Sequence, residues 1–354
     1  MGTTPTRLQG LAPPVARVVL IAVGVICVAL VLLSLQVGPP PLPRPGAHGD
    51  LELYGNVVTR LRAGESYHQA LHTELLAGDY GTLSVFNWRP PFFLTMVSWF
   101  PSNALAQIVL VLVSAVAGIM AGVVVGRDGP RAMVLGMALL AILSLVSVLV
   151  PQAALTCELW AGVLTLLSVS SYGLGLRRLG FAAAVLALLC REISGIYVLI
   201  CVALAVRERR WREVAMWAVV LTGFAIYYGW HAEMVWSLLG PADRAYKEGW
   251  LQVGGAMFLL SASSFNGMFM LAPMWVTALI LPLALLGLLA SPAAWMTRVG
   301  LTVAAYLLIF AFVGKPVNLY WGALYTPLLS FGLLWAGPAV RDLWVAALVP
   351  RATA

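Results

Sequence analysis

RRLGFAAAVLALLCREISGIYVLICVALAVRERRWR, residues 177 to 212, sets the apolar run 180 to 206 between two Arg clusters: Arg177 and Arg178 before it, and Arg207, Arg209, Arg210 and Arg212 after it. Arg and Lys beside membrane spans mark the cytoplasmic side, so both flanks ask for the same side. A single crossing would put one cluster outside. The conflict disappears if 180 to 206 is a pair of short helices that dip in and return, with Arg191 and Glu192 at the tip. Each half is then about 11 to 14 residues, too short to cross and suited to a re-entrant hairpin.

The rest of the chain fits that frame. Of its 354 residues, 61% are hydrophobic and 10% charged, with mean hydropathy +0.93, which excludes a soluble domain with a polar surface. The expected fold is all-α, a polytopic transmembrane bundle forming one domain over 1–354, with no internal repeat. Candidate spans are 16 to 37, 102 to 126, 132 to 150, 153 to 173, 180 to 206, 213 to 235, 268 to 290, 299 to 314 and 318 to 337. Reading the fifth as a hairpin leaves about eight full crossings. The N-terminus is then cytoplasmic, as are Arg7, Arg17, Arg127, Arg131, Arg177, Arg178, Arg207, Arg209, Arg210, Arg212, Arg298, Arg341 and Arg351. That places thirteen of the 21 basic residues inside. Topology therefore accounts for the net charge of +7, and nucleic acid is not an expected partner. Only Lys247 and Lys315 are Lys, and with the Ala and Gly richness this Arg bias points to a bacterial plasma membrane. No A-x-A site follows Leu33, so the first apolar run reads as a retained helix. Cys27, Cys157, Cys190 and Cys201 lie within apolar segments as packing residues.

Two larger segments then face outward, 38 to 101 and 236 to 267. The first holds Asp50, Glu52, Glu65, Glu74 and Asp79. Leu51, Tyr54, Val58 and Leu61 recur at helical spacing, and Glu52, Asn56 and Arg60 form a polar stripe, which predicts an amphipathic helix on the outer surface. Asp50 suits the N-cap of that helix, with Glu52 a first-turn acid favoured by the helix dipole. A carboxylate fixed at that place also suits a general base toward an acceptor hydroxyl. PPFFLTMVSWFPS, 90 to 102, is an interfacial lead into the second span.

Other polar groups lie where they are expensive. Arg191 and Glu192 interrupt an apolar run, which marks a cavity or a functional site; adjacent residues pair poorly, so each needs a partner elsewhere. Arg89 in NWRPP, and Lys315, Asn318 and Tyr320 in GKPVNLYW, sit near the outer mouth, where cations can hold a lipid phosphate or snorkel to headgroups. Glu158 in the fourth span, and His231 with Glu233 at the end of the sixth, are further candidates. No Walker A, G-x-S-x-G or H-E-x-x-H sequence is present, so ATP-driven transport, serine hydrolysis and zinc proteolysis have no support. His48, His68 and His72 share the first outer loop without metal spacing, and Asp50-x-Glu52 is too short to assign a metal. No cofactor is assigned; a divalent cation is left open.

DLELYGNVVTRLRAGESYHQA resembles the first outer loop of the GT-C superfamily of polytopic glycosyltransferases. Within that superfamily it is similar to the actinobacterial polyprenyl-phosphate-mannose-dependent mannosyltransferases, through Asp50, Tyr54, Gly64 and Tyr67. WRPPFF, CREISGIYVL and RERRWRE are similar to the lead-in to the second helix, the short-helix pair and the basic cytoplasmic turn of that family. The usual Lys-Pro of the short-helix pair is Arg191-Glu192 here, and the chain is shorter than many members. The resemblance implies inverting transfer of a sugar, mannose or another hexose or pentose, on the outer face. The donor would be a polyprenyl phosphate sugar and the acceptor a lipid or glycan. Asp50 would act as base; Glu52, Tyr54, Arg89, Arg191, Glu192, Lys315, Asn318 and Tyr320 would bind substrate. A transporter or flippase of lipid-linked saccharides, or a noncatalytic subunit of an envelope assembly complex, is the alternative reading.

Overall fold

The computed structural model describes residues 5–38, 49–245 and 251–348. The Pro-rich run up to His48, together with Lys247 and Arg351, lies outside the described residues. Among those residues the secondary structure is helical: α1 (Pro13–Ser34), α2 (Asp50–Arg62), α3 (Tyr67–Ala77), α4 (Phe92–Ser98), α5 (Asn103–Asp128), α6 (Arg131–Leu145) and α7 (Cys157–Gly173) lead to the central hairpin. After them come α8 (Arg177–Cys190), α9 (Gly195–Arg207), α10 (Trp211–Leu238), α11 (Gly255–Ser263), α12 (Met274–Ala290), α13 (Met296–Phe310) and α14 (Thr326–Leu348).

Among the described residues four helices are long and apolar enough to cross a membrane: α1, α5, α10, and α6 continued by a 3-10 turn to Leu149. A fifth arises if the 3-10 segment Asn318–Leu324 and α14, bent by 59°, are taken as one span. Their outer faces carry large exposed apolar side chains such as Val18, Ile119, Leu135 and Val219, which only a hydrocarbon solvent leaves at no cost. This is an integral membrane helical bundle. The stretch 268 to 290 becomes helical only at Met274, after Pro273, and the last stretch breaks at Tyr325 instead of running straight.

The centre of the bundle is α7, in which every residue from Cys157 to Ser171 is buried. A helix apolar on all sides belongs inside other helices; here α8, α5 and the segment Asn318–Leu324 surround it. Contact with that segment is backbone to backbone. A Cβ on Gly162 would overlap the carbonyl oxygen of Ala323, so only glycine allows the approach.

The apolar run 180 to 206 folds as two short helices broken at Arg191, which has extended backbone (φ −150°, ψ 113°). Both outer ends return to the same place. The Tyr172 ring packs on Gly180 near the start of α8, and its hydroxyl donates to Glu213 in the first turn of α10, 2.9 Å away. The tip lies at the other end of α7, beside Glu158.

Two expectations for α2 are revised. Its N-cap is Gly49, and Asp50 makes no capping bond, because its carboxylate is taken up by two phenols. The buried face consists of Leu53, Tyr54, Val57 and Val58, while Leu51 is exposed. The polar stripe is partnered by α3: Asn56 and Arg60 both bond Glu74, at 3.0 and 2.6 Å. Gly64, at φ +89°, makes the turn between these helices.

The second loop is stitched onto the first. The Thr82 amide donates to the Arg244 carbonyl (2.8 Å), His72 pairs with Asp243 (2.8 Å), and His68 meets His231 of α10 at 3.0 Å.

Candidate active site

Asp50 opens α2 and lies between Tyr80 of the first loop and Tyr320 of the segment Asn318–Leu324. The Tyr80 hydroxyl donates to Oδ1 (2.8 Å) and the Tyr320 hydroxyl to Oδ2 (3.1 Å). Tyr320 is itself positioned in turn, since Asn318 Nδ2 donates to its oxygen (3.1 Å) and the Lys315 amide donates to Asn318 Oδ1 (2.9 Å). The residues of GKPVNLYW thus form a relay whose last member holds the acid. Each carboxylate oxygen has two acceptor sites, so both remain able to take a further hydrogen bond.

The neighbour of Tyr320 faces the other half of the site. The Trp321 ring lies under the Arg191 guanidinium, with 5.8 Å between the guanidinium carbon and the ring centroid. Two adjacent residues of one 3-10 segment therefore connect Asp50 to the hairpin tip. Glu158, in the first turn of α7, is 2% exposed and receives Arg191 Nε at 2.7 Å. That is an ion-pair approach whose angle falls outside hydrogen-bond geometry. The Cys157 thiol donates to Glu158 Oε2 (3.2 Å). Arg191 also pairs with Glu192, so these neighbours do bond, contrary to the expectation that each must look elsewhere.

Arg89 completes the set. It is buried between Tyr54, whose ring centroid is 5.9 Å from its guanidinium carbon, and Glu158, whose Oε1 is 3.9 Å from Nη2. Its carbonyl accepts from the Tyr67 hydroxyl (2.6 Å). Burial pushes the Tyr54 and Tyr67 phenols well above their ordinary range, so both stay protonated donors. Arg89 Nε is buried with no hydrogen-bond partner among the described residues.

A groove of about 490 Å³ opens on this cluster. Phe86, Ile193, Ile196, Phe310 and Val313 give it apolar walls, and Arg191, Glu192 and Trp321 also line it.

Sequence reasoning named Asp50, Tyr54, Arg89, Arg191, Glu192, Asn318 and Tyr320, and the fold brings these together. Lys315 contributes its backbone amide to the relay. Glu52 lies on the exposed side of α2. Tyr80 and Trp321 were missed, Tyr67 was named only for the resemblance, and Glu158 only as a further candidate. Glu158 carries a readable signal: an acid in the first turn of an otherwise apolar helix, in a chain whose hairpin tip supplies an unmatched Arg. Among the described residues no three His, Cys, Asp or Glu side chains converge as metal ligands.

No protein-family model matches the sequence, and neither curated proteins nor solved structures give a match, so the geometry carries the functional reading.

Proposed function

We propose that the chain is a glycosyltransferase of the polyprenyl-phosphate-sugar-dependent kind, acting at the outer face of a bacterial plasma membrane on a lipid or glycan acceptor. The observation that carries the reading is the junction of three parts in one place: a carboxylate held as an acceptor by two phenols, a buried arginine with a spare donor, and an apolar groove lined in part by charge.

The isoprenoid tail lies in the groove and the phosphate meets Arg89. Arg191 is already matched by Glu158 and Glu192, so Arg89 has the freer guanidinium and supplies the charge-assisted bond to the departing phosphate. Asp50 takes the proton of the acceptor hydroxyl as that oxygen bonds to the anomeric carbon. The bond between the anomeric carbon and the phosphate oxygen breaks, its electron pair leaves with polyprenyl phosphate, and the configuration inverts. A phosphate leaves without a general acid, so one carboxylate suffices where a glycosidase needs two.

Purified protein given a polyprenyl phosphate sugar and membrane lipids should transfer the sugar. Asp50→Asn keeps the shape of the side chain and one phenol donor contact, the other phenol turning to accept from the amide, but removes the base. Its transfer rate should fall by about 10²–10⁴-fold with the thermal unfolding midpoint little changed. Undiminished turnover by this variant would overturn the assignment.

A further inference from the structure

The charged cluster is a chain with two unfinished ends. Arg89 Nη2 approaches Glu158 Oε1 (3.9 Å), Glu158 Oε1 meets Arg191 Nε (2.7 Å), and Arg191 Nη1 meets Glu192 Oε1. Charges alternate along it, two guanidiniums against two carboxylates. The interior charges are paired, Arg191 Nε and Glu158 Oε1 as an ion pair outside hydrogen-bond geometry; the outermost polar atoms have neither kind of partner. At one end Arg89 Nε is a buried donor without a partner, and at the other Glu192 Oε2 is a buried acceptor without one. A buried polar group left unsatisfied costs about 1–3 kcal/mol, and such groups in a native fold call for a physical explanation.

From this pairing we infer that Glu192 reads a hydroxyl of the transferred sugar while Arg89 holds the phosphate, so that one glycosyl phosphate completes both ends of the chain. This rests on the donor class proposed above and adds the residue that recognises the sugar. A phosphate oxygen is an acceptor and answers the guanidinium. The sugar attached to it presents hydroxyl donors beside the anomeric carbon, and a hydroxyl answers the carboxylate. Glu192 lines the groove among the apolar side chains of Phe86, Ile193 and Val313, with the Trp321 indole in the same lining. Lipid phosphate alone would satisfy Arg89 and leave Glu192 Oε2 as it is. The site therefore distinguishes the loaded donor from the spent carrier, and the spent carrier is the one that must leave.

The test measures binding by the full chain in detergent or nanodiscs, without turnover, using a polyprenyl phosphate and the same lipid carrying mannose, glucose or arabinose. For the unsubstituted protein at least one sugar-bearing lipid should bind about tenfold more tightly than the sugarless one, the worth of a hydrogen bond to a charged group. Arg89→Gln should weaken both lipids about tenfold or more. Glu192→Gln preserves size and a carbonyl toward Arg191; it should weaken the preferred sugar-bearing lipid about tenfold and the sugarless lipid less than twofold. If both lipids bind equally to the unsubstituted protein, or if Glu192→Gln weakens the two alike or neither, the inference fails while the donor class stands. If the unsubstituted protein binds neither lipid, the donor class itself fails. The comparison of lipids on the unsubstituted protein keeps the inference falsifiable even if Glu192→Gln does not fold.

Discussion

The hairpin of α8 and α9 has a buried arginine at each end, and the two ends are finished differently. Where the outer ends meet, Arg298 donates to Cys201 Sγ (2.9 Å) and its guanidinium carbon stands 3.9 Å from the Tyr172 ring centroid; the Tyr172 hydroxyl passes to Glu213 (2.9 Å). Beside them Ser168 bonds both Tyr197 and the Gly180 carbonyl. None of these side chains keeps a buried polar atom without a partner, and Arg210, which also pairs with Glu213, has its Nε answered by the Glu208 carboxylate as an ion pair (2.9 Å). At the tip the same ingredients leave Arg89 Nε and Glu192 Oε2 unmatched. A buried polar network that is closed on itself specifies packing, whereas one left open at both ends is arranged for something not yet bound. Cys201 thus does more than the packing expected of it, as part of the closed end.

Breaking each end in turn sharpens the contrast. The largest effect is expected from Arg191→Met, which strands Glu158 and Glu192 in a buried site. Removing one partner of such a set costs about 3–5 kcal/mol, read as loss of folded protein or a steep drop in thermal midpoint. Arg298→Met removes a cation that has no carboxylate within ion-pair distance among the described residues. It should cost about 2 kcal/mol, the scale of a desolvated cation–π contact, and the folded fraction should keep transfer activity. If Arg298→Met proves the more damaging, the contrast between the ends is wrong.

Gly162→Ala probes the joint that unites the site. The added methyl collides with the Ala323 carbonyl and pushes away the segment bearing Tyr320 and Trp321. Overpacking of this kind costs about 1–3 kcal/mol, and transfer should fall further than stability does, as comparison of specific activity with unfolding midpoint will tell. Tyr80→Phe removes one of the two bonds to Asp50, with an expected loss of about tenfold in rate, one charge-assisted hydrogen bond, and unchanged binding of polyprenyl phosphate.

The smallest effect is on pH dependence. Burial, reinforced by the neighbouring His231 ring, pushes His68 down to about 4. The folded protein then binds fewer protons than the unfolded chain between that value and the ordinary 6.5. Stability contributed by neutral His68 is fully present above pH 6.5 and is lost as pH falls toward 4. Thermal scans should show the midpoint falling over that window, and His68→Asn should flatten the dependence.

What could be read in advance follows the range of the physics involved. Hydropathy and flanking arginines are local signals, and they sufficed for the membrane bundle and for the hairpin broken at Arg191. Asp50 stood out because an acid after a span and before an amphipathic helix is a local pattern as well. Its surroundings did not: Tyr80 lies 30 residues away and Tyr320 lies 270 away, and neither has a spacing relation to Asp50. The expectation that Asp50 caps its helix failed for that reason, since capping is judged from neighbours and the carboxylate is claimed by distant phenols. Glu158 was undervalued because its worth lies in Arg191 across the bundle. The break at Tyr325 likewise follows from the packing of Asn318–Leu324 onto α7 and α11.

The central claim is that the open end of the hairpin and Asp50 form one site for a glycosyl phosphate lipid. Its most direct test is an experimental structure of the protein with a non-cleavable phosphonate analogue of a polyprenyl phosphate sugar. The account predicts the tail between Phe86 and Val313, a phosphonate oxygen about 2.7–2.9 Å from Arg89, and the anomeric carbon turned toward Asp50. A headgroup seated away from Arg89, with Asp50 still closed off by Tyr80 and Tyr320, would contradict it.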